Sequence, residues 1–534
     1  MTKKMHKRIV LISIFLLCLL GCVYAANKKG VTYDEIITFQ RASEMFADHS
    51  QRVDFEEQKN FYNKTYTSQN FYDNLRVKEG ESFFNQDIAT QFVDALFTKR
   101  TYNVLLNAVM SLGDGQFNPW YSMGINLFLY VLTLFFMDRL AKKFKVNDLT
   151  TILILLFYGL SVAGIQPIIF LRFYELYILI ALLYMNIGVY LYQSSKIDLK
   201  WFGGVLLTLI LAWFGYLNAE YMMIYVAAFS LAFFIVGLVN RQWRKVGCYV
   251  AVYGLAGFCF LLKKLDGLKA DYARGGLMAK SIDKFFRGSI YEFAKFLAMF
   301  LRDIVMDGGV ILLVLAGVIL LFLHKEKKQA INRVFQRIDA SWVLVFITII
   351  TYILVVARVA PFEAWRYTSI MQPLVVLLAL VLLEEAAKDV KIKGKKGIIS
   401  ALLLFQFIYL LIWGADMGCL QGEVRYDMKE EVNQQLGDSS NIMFATGDTG
   451  DLYYGAALWP QEGETYVTTL DLFQEETEDK NNILNNKQIY VWARNEETWE
   501  EDINLLMNEY GYINNQLVMD TGSGRWLIYK CERE

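Results

Sequence analysis

Residues 9–46 read IVLISIFLLCLLGCVYAANKKGVTYDEIITFQRASEMF, and the rest of the chain is organised by what this stretch contains. Residues 9–26 carry no charge and are long enough to cross a bilayer, which takes about 20 apolar residues at a helical rise of about 1.5 Å. Thr32-Tyr33-Asp34-Glu35 follows, and after it Ile36, Phe39, Ala42/Ser43 and Phe46 recur every three to four residues. That spacing predicts a helix lying on the membrane surface. A span, an acid pair just beyond it and a surface helix therefore open the chain.

Ten further apolar blocks lie at 121–138, 149–166, 168–192, 201–217, 221–239, 246–262, 308–323, 341–359, 367–386 and 398–415. With 55% of its 534 residues hydrophobic and 20% charged, and with these blocks, the chain is not a soluble globular protein. Only 5 prolines leave little room for disorder. About eleven transmembrane helices are expected.

Lys and Arg in short loops mark the cytoplasmic side. Here they fall at every second connection: Lys3 to Arg8, Arg139 to Lys145, Lys196/Lys200, Arg241 to Lys245, Lys325 to Arg337 and Lys388 to Lys396. The N-terminus is accordingly read as inside, with the loops 27–120, 263–307 and 360–366 and the tail 416–534 outside a plasma membrane. Leu19-Leu20-Gly21-Cys22 resembles a lipobox, but the second position is usually small, and an uncleaved anchor is expected instead.

The net charge of −1 conceals a division. Residues 1–415 carry 45 Lys/Arg and 30 Asp/Glu, whereas residues 416–534 carry 8 and 24. Two domains are expected: a basic membrane body at 1–415 with a large first loop, and an acidic extracytoplasmic tail at 416–534. In the tail, 441–446, 465–469, 488–493, 516–519 and 526–529 read as strands and 497–510 as an amphipathic helix, a small α/β domain. In the first loop 88–112 is amphipathic and 48–87 reads as an irregular insertion; a third surface helix is expected from Ile282 to Val305.

Three histidines and no CxxC pair make a zinc site unexpected. Cys419 and Cys531 lie near the two ends of the tail, where a disulfide or two thiols are both open. Gly447-Asp448-Thr449-Gly450-Asp451 reads as a turn, Asn63-Lys64-Thr65 is a glycosylation sequon, and Glu384-Glu385 reads as a solvated span end. Nothing points to nucleic acid; the lipid bilayer is the expected partner.

Asp34 and Glu35 lie at headgroup depth, where a carboxylate can take a proton from an acceptor hydroxyl while a lipid-borne phosphate leaves. The same residues make a capping box, Thr32-x-x-Glu35, with acids in a first helical turn. Both readings stand, and they are compatible.

The acid pair after one span and before a surface helix resembles the GT-C superfamily of glycosyltransferases, in its protein O-mannosyltransferase and aminoarabinose-transferase-like branch. Arg172-Phe173-Tyr174 opening the fourth span is similar to an Arg-x-Tyr element of bacterial members. Asn218-Ala219-Glu220-Tyr221 stands where relatives read Thr-His-Tyr. Arg366-Tyr367 followed by Pro373 looks like an Arg-Tyr element opening a late span. The likeness covers the whole chain in layout, through motifs of two or three residues. It departs at Phe97 to Leu106, which lacks the His-Pro-Pro stretch of many relatives, and at Glu220, where they carry His.

The resemblance implies a GT-C-like helical membrane fold and a mechanism. A polyprenyl-phosphate-linked sugar is the donor, and an envelope glycan or protein is the acceptor. Asp34 is the general base, Glu35 orients the base or acceptor, and the acceptor hydroxyl attacks the anomeric carbon with inversion. Arg172 and Arg366 hold the donor phosphate, with Lys263, Lys264 and Arg274 as secondary candidates. Glu220 and Tyr174 support the acceptor. No cofactor is fixed, and a divalent cation stays open. Arg172 has a second option, an ion pair with Glu175. Two rival classes remain: a transporter or flippase of a lipid-linked substrate, which would place charges and broken helices near the midplane, and a non-catalytic membrane scaffold.

Overall fold

The computed structural model describes residues 3–26, 30–46, 61–85, 100–273, 277–323, 332, 334–362, 364–388, 395–414, 426–445, 449–494, 508–521 and 526–533. They form two compact units. One comprises Met1–Ala26, Leu96–Tyr102 and Met123–Met417, the other Asn27–Ala95, Asn103–Ser122 and Gly418–Glu534.

The first unit is a helical membrane bundle. Six described helices are long and apolar enough to cross a membrane: Pro119–Lys143, Tyr174–Gln193, Leu199–Asn218, Met222–Val239, Ala340–Val359 and Ser369–Ala387. Two further pairs pass together but are sharply bent, Asp148–Gly159 with Val162–Ile169 by 50° and Ile290–Asp307 with Val310–Leu320 by 80°. By length and apolarity the described residues thus supply six to eight spans rather than eleven; Ile12–Ala26 and Ala401–Leu410 are shorter apolar helices. Tyr174–Gln193 is the most enclosed of the six. Inside it the Tyr184 hydroxyl lies 3.0 Å from that of Tyr249 and donates to that of Tyr253 at 2.8 Å.

The block at 149–166, read as one span, is broken for a local reason. Ser161 is extended, with φ −104 and ψ 162, and its Oγ accepts the Gly164 N–H at 3.1 Å, which starts a second helix. A Cβ on residue 164 would run into the Tyr158 carbonyl, so only glycine fits the turn. The surface helix expected from Ile282 to Val305 is likewise two helices, Leu277–Arg287 and Ile290–Asp307. Ser289 separates them and caps the second by accepting the Glu292 N–H at 3.0 Å.

The second unit is built on a six-stranded sheet. Its strands are β1 (Lys64–Thr67), β2 (Ser440–Phe444), β3 (Glu464–Thr468), β4 (Gln488–Arg494), β5 (Tyr512–Asp520) and β6 (Trp526–Arg533), in the order β1-β3-β2-β4-β6-β5. β2 runs parallel to both β3 and β4, and the other pairings are antiparallel. Alternation along β2 sends Ile442 and Phe444 to one core with Ile483 and Leu484, and Met443 to the other with Tyr453 and Trp459. The sheet is thereby covered on both faces.

The region 48–87 is not wholly irregular, because Lys64–Thr67 is a strand and Ser68–Asn74 a helix. β1 pairs with β3 from Lys64↔Val467 to Thr67↔Glu464, so the first loop contributes an edge strand to the tail sheet. Of the amphipathic stretch 88–112, the part from Thr101 to Leu112 is a helix, and 86–99 lie outside the described residues. Most of the helix read at 497–510, and Gly447 and Asp448, also lie outside them. Cys531 is a buried free thiol that burial pushes up to about 12; Cys419 is not among the described residues.

Candidate functional site

The acid pair begins the helix Tyr33–Ser43 in the second unit. Thr32 is extended, and the Glu35 carboxylate accepts its backbone N–H at 2.7 Å. Glu35 has no exposed surface, whereas Asp34 is half-buried. Adjacent acids thus have different circumstances: one carboxylate is spent on a helix start, and the other keeps access to solvent. Tyr33 anchors the turn, its ring 5.5 Å from that of Tyr453 and 5.9 Å from that of Tyr454.

The cationic residues lie in the first unit. Arg172 sits in the non-helical link between Val162–Ile169 and Tyr174–Gln193 and is only 8% exposed. Its guanidinium lies 5.9, 5.5 and 5.6 Å from the ring centres of Phe170, Phe173 and Tyr174, within cation–π range. The Arg100 guanidinium lies 5.6 Å from the same Phe173 ring. Arg366, on the turn Trp365–Tyr367, lies 5.2 Å from the Phe362 ring and 6.0 Å from that of Tyr367. Trp365 joins the two groups, packing 5.8 Å from Phe170 and 5.6 Å from Tyr174. One aromatic layer therefore carries three arginines.

The layer is fixed by buried amides. Tyr102, two residues beyond Arg100, donates its N–H to Asn218 Oδ1 at 3.1 Å and its hydroxyl to Asn126 Oδ1 at 2.9 Å. Asn126 in turn donates to the carbonyls of Ile168 at 2.9 Å and Phe170 at 3.3 Å. The link holding Arg172 is thus tied to the segment holding Arg100. On the other side Tyr221 packs 4.6 Å from Tyr367, while Glu220 is exposed at the adjacent turn.

Arg172, Arg366 and Tyr174 therefore come together within one unit, and Glu220 stands one residue from an aromatic neighbour of Tyr367. Glu175 does not pair with Arg172: its carboxylate is buried and accepts the Thr133 hydroxyl at 2.5 Å. The side chains of Lys263 and Lys264, and Arg274 altogether, lie outside the described residues. Sequence reasoning passed over Arg100. Its signal was the Lys99-Arg100 pair in the very stretch that departs from the family pattern.

The sequon has a structural occupation. Asn63 adopts φ 61; its amide nitrogen donates to Glu475 Oε2 at 2.8 Å, and its amide oxygen accepts from Thr468 at 2.8 Å and Tyr466 at 3.1 Å. Among the described residues no group of three or more His, Cys, Asp or Glu is gathered to hold a metal ion.

No protein-family model matches the sequence, and no curated protein matches it. Its structure is similar to that of ArnT from Cupriavidus metallidurans bound to undecaprenyl phosphate, with TM-score 0.50 and 11% identity over 97% of each chain. The apo state of ArnT from the same organism gives TM-score 0.49 at 11% identity over 97% of each chain. At this identity the shared property is architecture, and the chain has an ArnT-like, GT-C-like multi-pass membrane fold.

Proposed function

We propose that the protein is a glycosyltransferase of the GT-C kind, moving a sugar from a polyprenyl-phosphate donor to a cell-envelope acceptor on the extracytoplasmic face. The observation that carries this reading is the aromatic layer bearing Arg100, Arg172 and Arg366. Arg100 and Arg172 share the Phe173 ring, and guanidinium groups on one layer can offer a phosphate charge-assisted hydrogen bonds. The architecture shared with ArnT bound to undecaprenyl phosphate favours a lipid-linked phosphate as that anion.

In this reading Asp34 removes the acceptor proton as the hydroxyl oxygen attacks the anomeric carbon. The bond from that carbon to the phosphate oxygen breaks, and polyprenyl phosphate leaves with its charge stabilised by the arginines. Asp34 suits the base better than Glu35, whose carboxylate already serves the Thr32 N–H. Lys263 and Arg274 remain secondary phosphate ligands, and Glu220 and Tyr174 remain acceptor supports. A divalent cation stays an open requirement. The N-terminus is assigned to the inside, and the acidic domain from residue 416 to the outside.

The test uses the full-length protein in nanodiscs with a labelled polyprenyl-phosphate sugar and envelope acceptors. Asp34→Asn is expected to lower transfer by about 10²–10⁴-fold with donor binding kept, and Arg172→Ala or Arg366→Ala to weaken donor binding. Wild-type transfer by Asp34→Asn at equal protein level would remove Asp34 as the base and make Glu220 the first alternative. Movement of the lipid between leaflets without sugar transfer would support the flippase reading.

A further inference from the structure

Gln372 and Gln406 are 2% and 1% exposed, yet the amide oxygen of each has no hydrogen-bond partner. A buried acceptor left unmatched is destabilising, so two in one place call for an explanation. Their orientation is set by their amino groups. Gln372 Nε2 donates to the Asp303 carbonyl at 3.3 Å, and Gln406 Nε2 to the Phe157 carbonyl at 3.4 Å. Turning either amide over would set oxygen against oxygen.

Both oxygens aim at one peptide. Gln372 Oε1 lies 2.9 Å from the point a Cβ on Gly308 would occupy, and Gln406 Oε1 fills the place of a Cβ on Gly309, whose φ is +65. This peptide is the 80° break between Ile290–Asp307 and Val310–Leu320. Phe157 belongs to the other bent pair, so Gln406 engages both broken helices.

Acceptors gather at the break. The Ile304 carbonyl oxygen lies 3.3 Å from the same Gly308 Cβ position, and the last turn of an 18-residue helix presents its partial negative charge there. Asp303, earlier in the same helix and 8% exposed, has its carboxylate paired with Arg302 at 2.7 Å. Unmatched oxygens at the C-terminal end of a discontinuous helix are the setting in which membrane proteins hold small cations.

We propose that the Gly308–Gly309 break binds a monovalent cation of the sodium class, with Gln372 Oε1 and Gln406 Oε1 among its ligands. Neutral amide and carbonyl oxygens suit a single charge; a divalent ion would call for more carboxylate than one Asp already paired with Arg302. Bound there, the ion fastens the two bent helix pairs together through Gln406.

Thermal unfolding of the full-length protein in nanodiscs tests it, in sodium, potassium, lithium and choline chloride at one ionic strength. The expected result is a saturable rise in Tm with sodium over choline, abolished in Gln406→Met and Gln372→Met, which keep side-chain length and remove the oxygen. Equal melting of the wild-type protein in all four salts would overturn the proposal, leaving water as the partner of the two oxygens. A sodium response retained in both variants would place the ion elsewhere and overturn the assignment. If the variants do not fold, the wild-type salt series decides.

Discussion

Replacing Glu35 separates a residue that starts a helix from one that reacts. Its carboxylate has no exposed surface and holds the Thr32 N–H at 2.7 Å. Glu35→Ala leaves that N–H without its acceptor, at about 1–3 kcal/mol, and removes a negative charge from a helix N-terminus, at about 0.3–1 kcal/mol. Together the loss is about 1.3–4 kcal/mol, which should speed hydrogen exchange at the Thr32 amide by roughly 10- to 1,000-fold. Glu35→Gln keeps an oxygen in place and loses only charge, so its effect should be about 1 kcal/mol. The effect should reach the core that Ile36 and Ile37 share with Tyr453 and appear as a lower Tm. Mass-spectrometric exchange on the full-length protein reads the first quantity, and sugar transfer per folded molecule reads the second, which should change by no more than a few-fold. Glu35→Gln with wild-type exchange and melting but transfer reduced a hundredfold would refute this reasoning and put Glu35 in the chemistry.

Lys429 lies 4.0 Å from the Tyr72 ring centre and donates to the Tyr72 hydroxyl, and burial pushes its amine from 10.5 down to about 8. The unfolded chain holds that proton more tightly, so stability should be lowest below pH 8 and rise between about 8 and 10.5. Lys429→Met should flatten the rise in Tm across that window and stabilise the protein at pH 7 by up to about 3 kcal/mol. Asn63, held by Glu475, Thr468 and Tyr466, should carry no glycan when the chain is made in a glycosylating host; a mass increment lost in Asn63→Gln would contradict its role. Residue 462, exposed beside β3, should label from outside intact cells as Glu462→Cys in a cysteine-free background, whereas labelling only after permeabilisation would reverse the membrane orientation.

Legibility in the sequence followed the range of the interactions. The capping box was readable because Thr32 and Glu35 are three residues apart, and β3, β4 and β6 because alternation and flanking turns are local. The break at Ser161 was hidden, since the residues around it are apolar and hydropathy registers composition rather than the Gly164 approach to Tyr158. β1 is only four residues, Lys-Thr-Tyr-Thr, and it is a strand because β3 accepts it; no propensity of that length could reveal it. The arginine layer was half visible. Arg172 and Arg366 stood at span mouths, but Arg100 joins them through Phe173, a tertiary relation with no spacing rule.

The pairing of β1 with β3 also bears on how the protein is made. Asn63 and Thr468, which hydrogen-bond beside that pairing, are 405 residues apart in the chain. At about 5–20 residues per second, the ribosome needs roughly 20–80 s between making the one and the other. For that interval Lys64–Thr67 is a synthesised edge without its neighbour, while the helices of the membrane unit are still being inserted. Completion of the sheet reports that insertion has run to its end, and a chain stalled midway would present this unpaired segment to folding and degradation machinery.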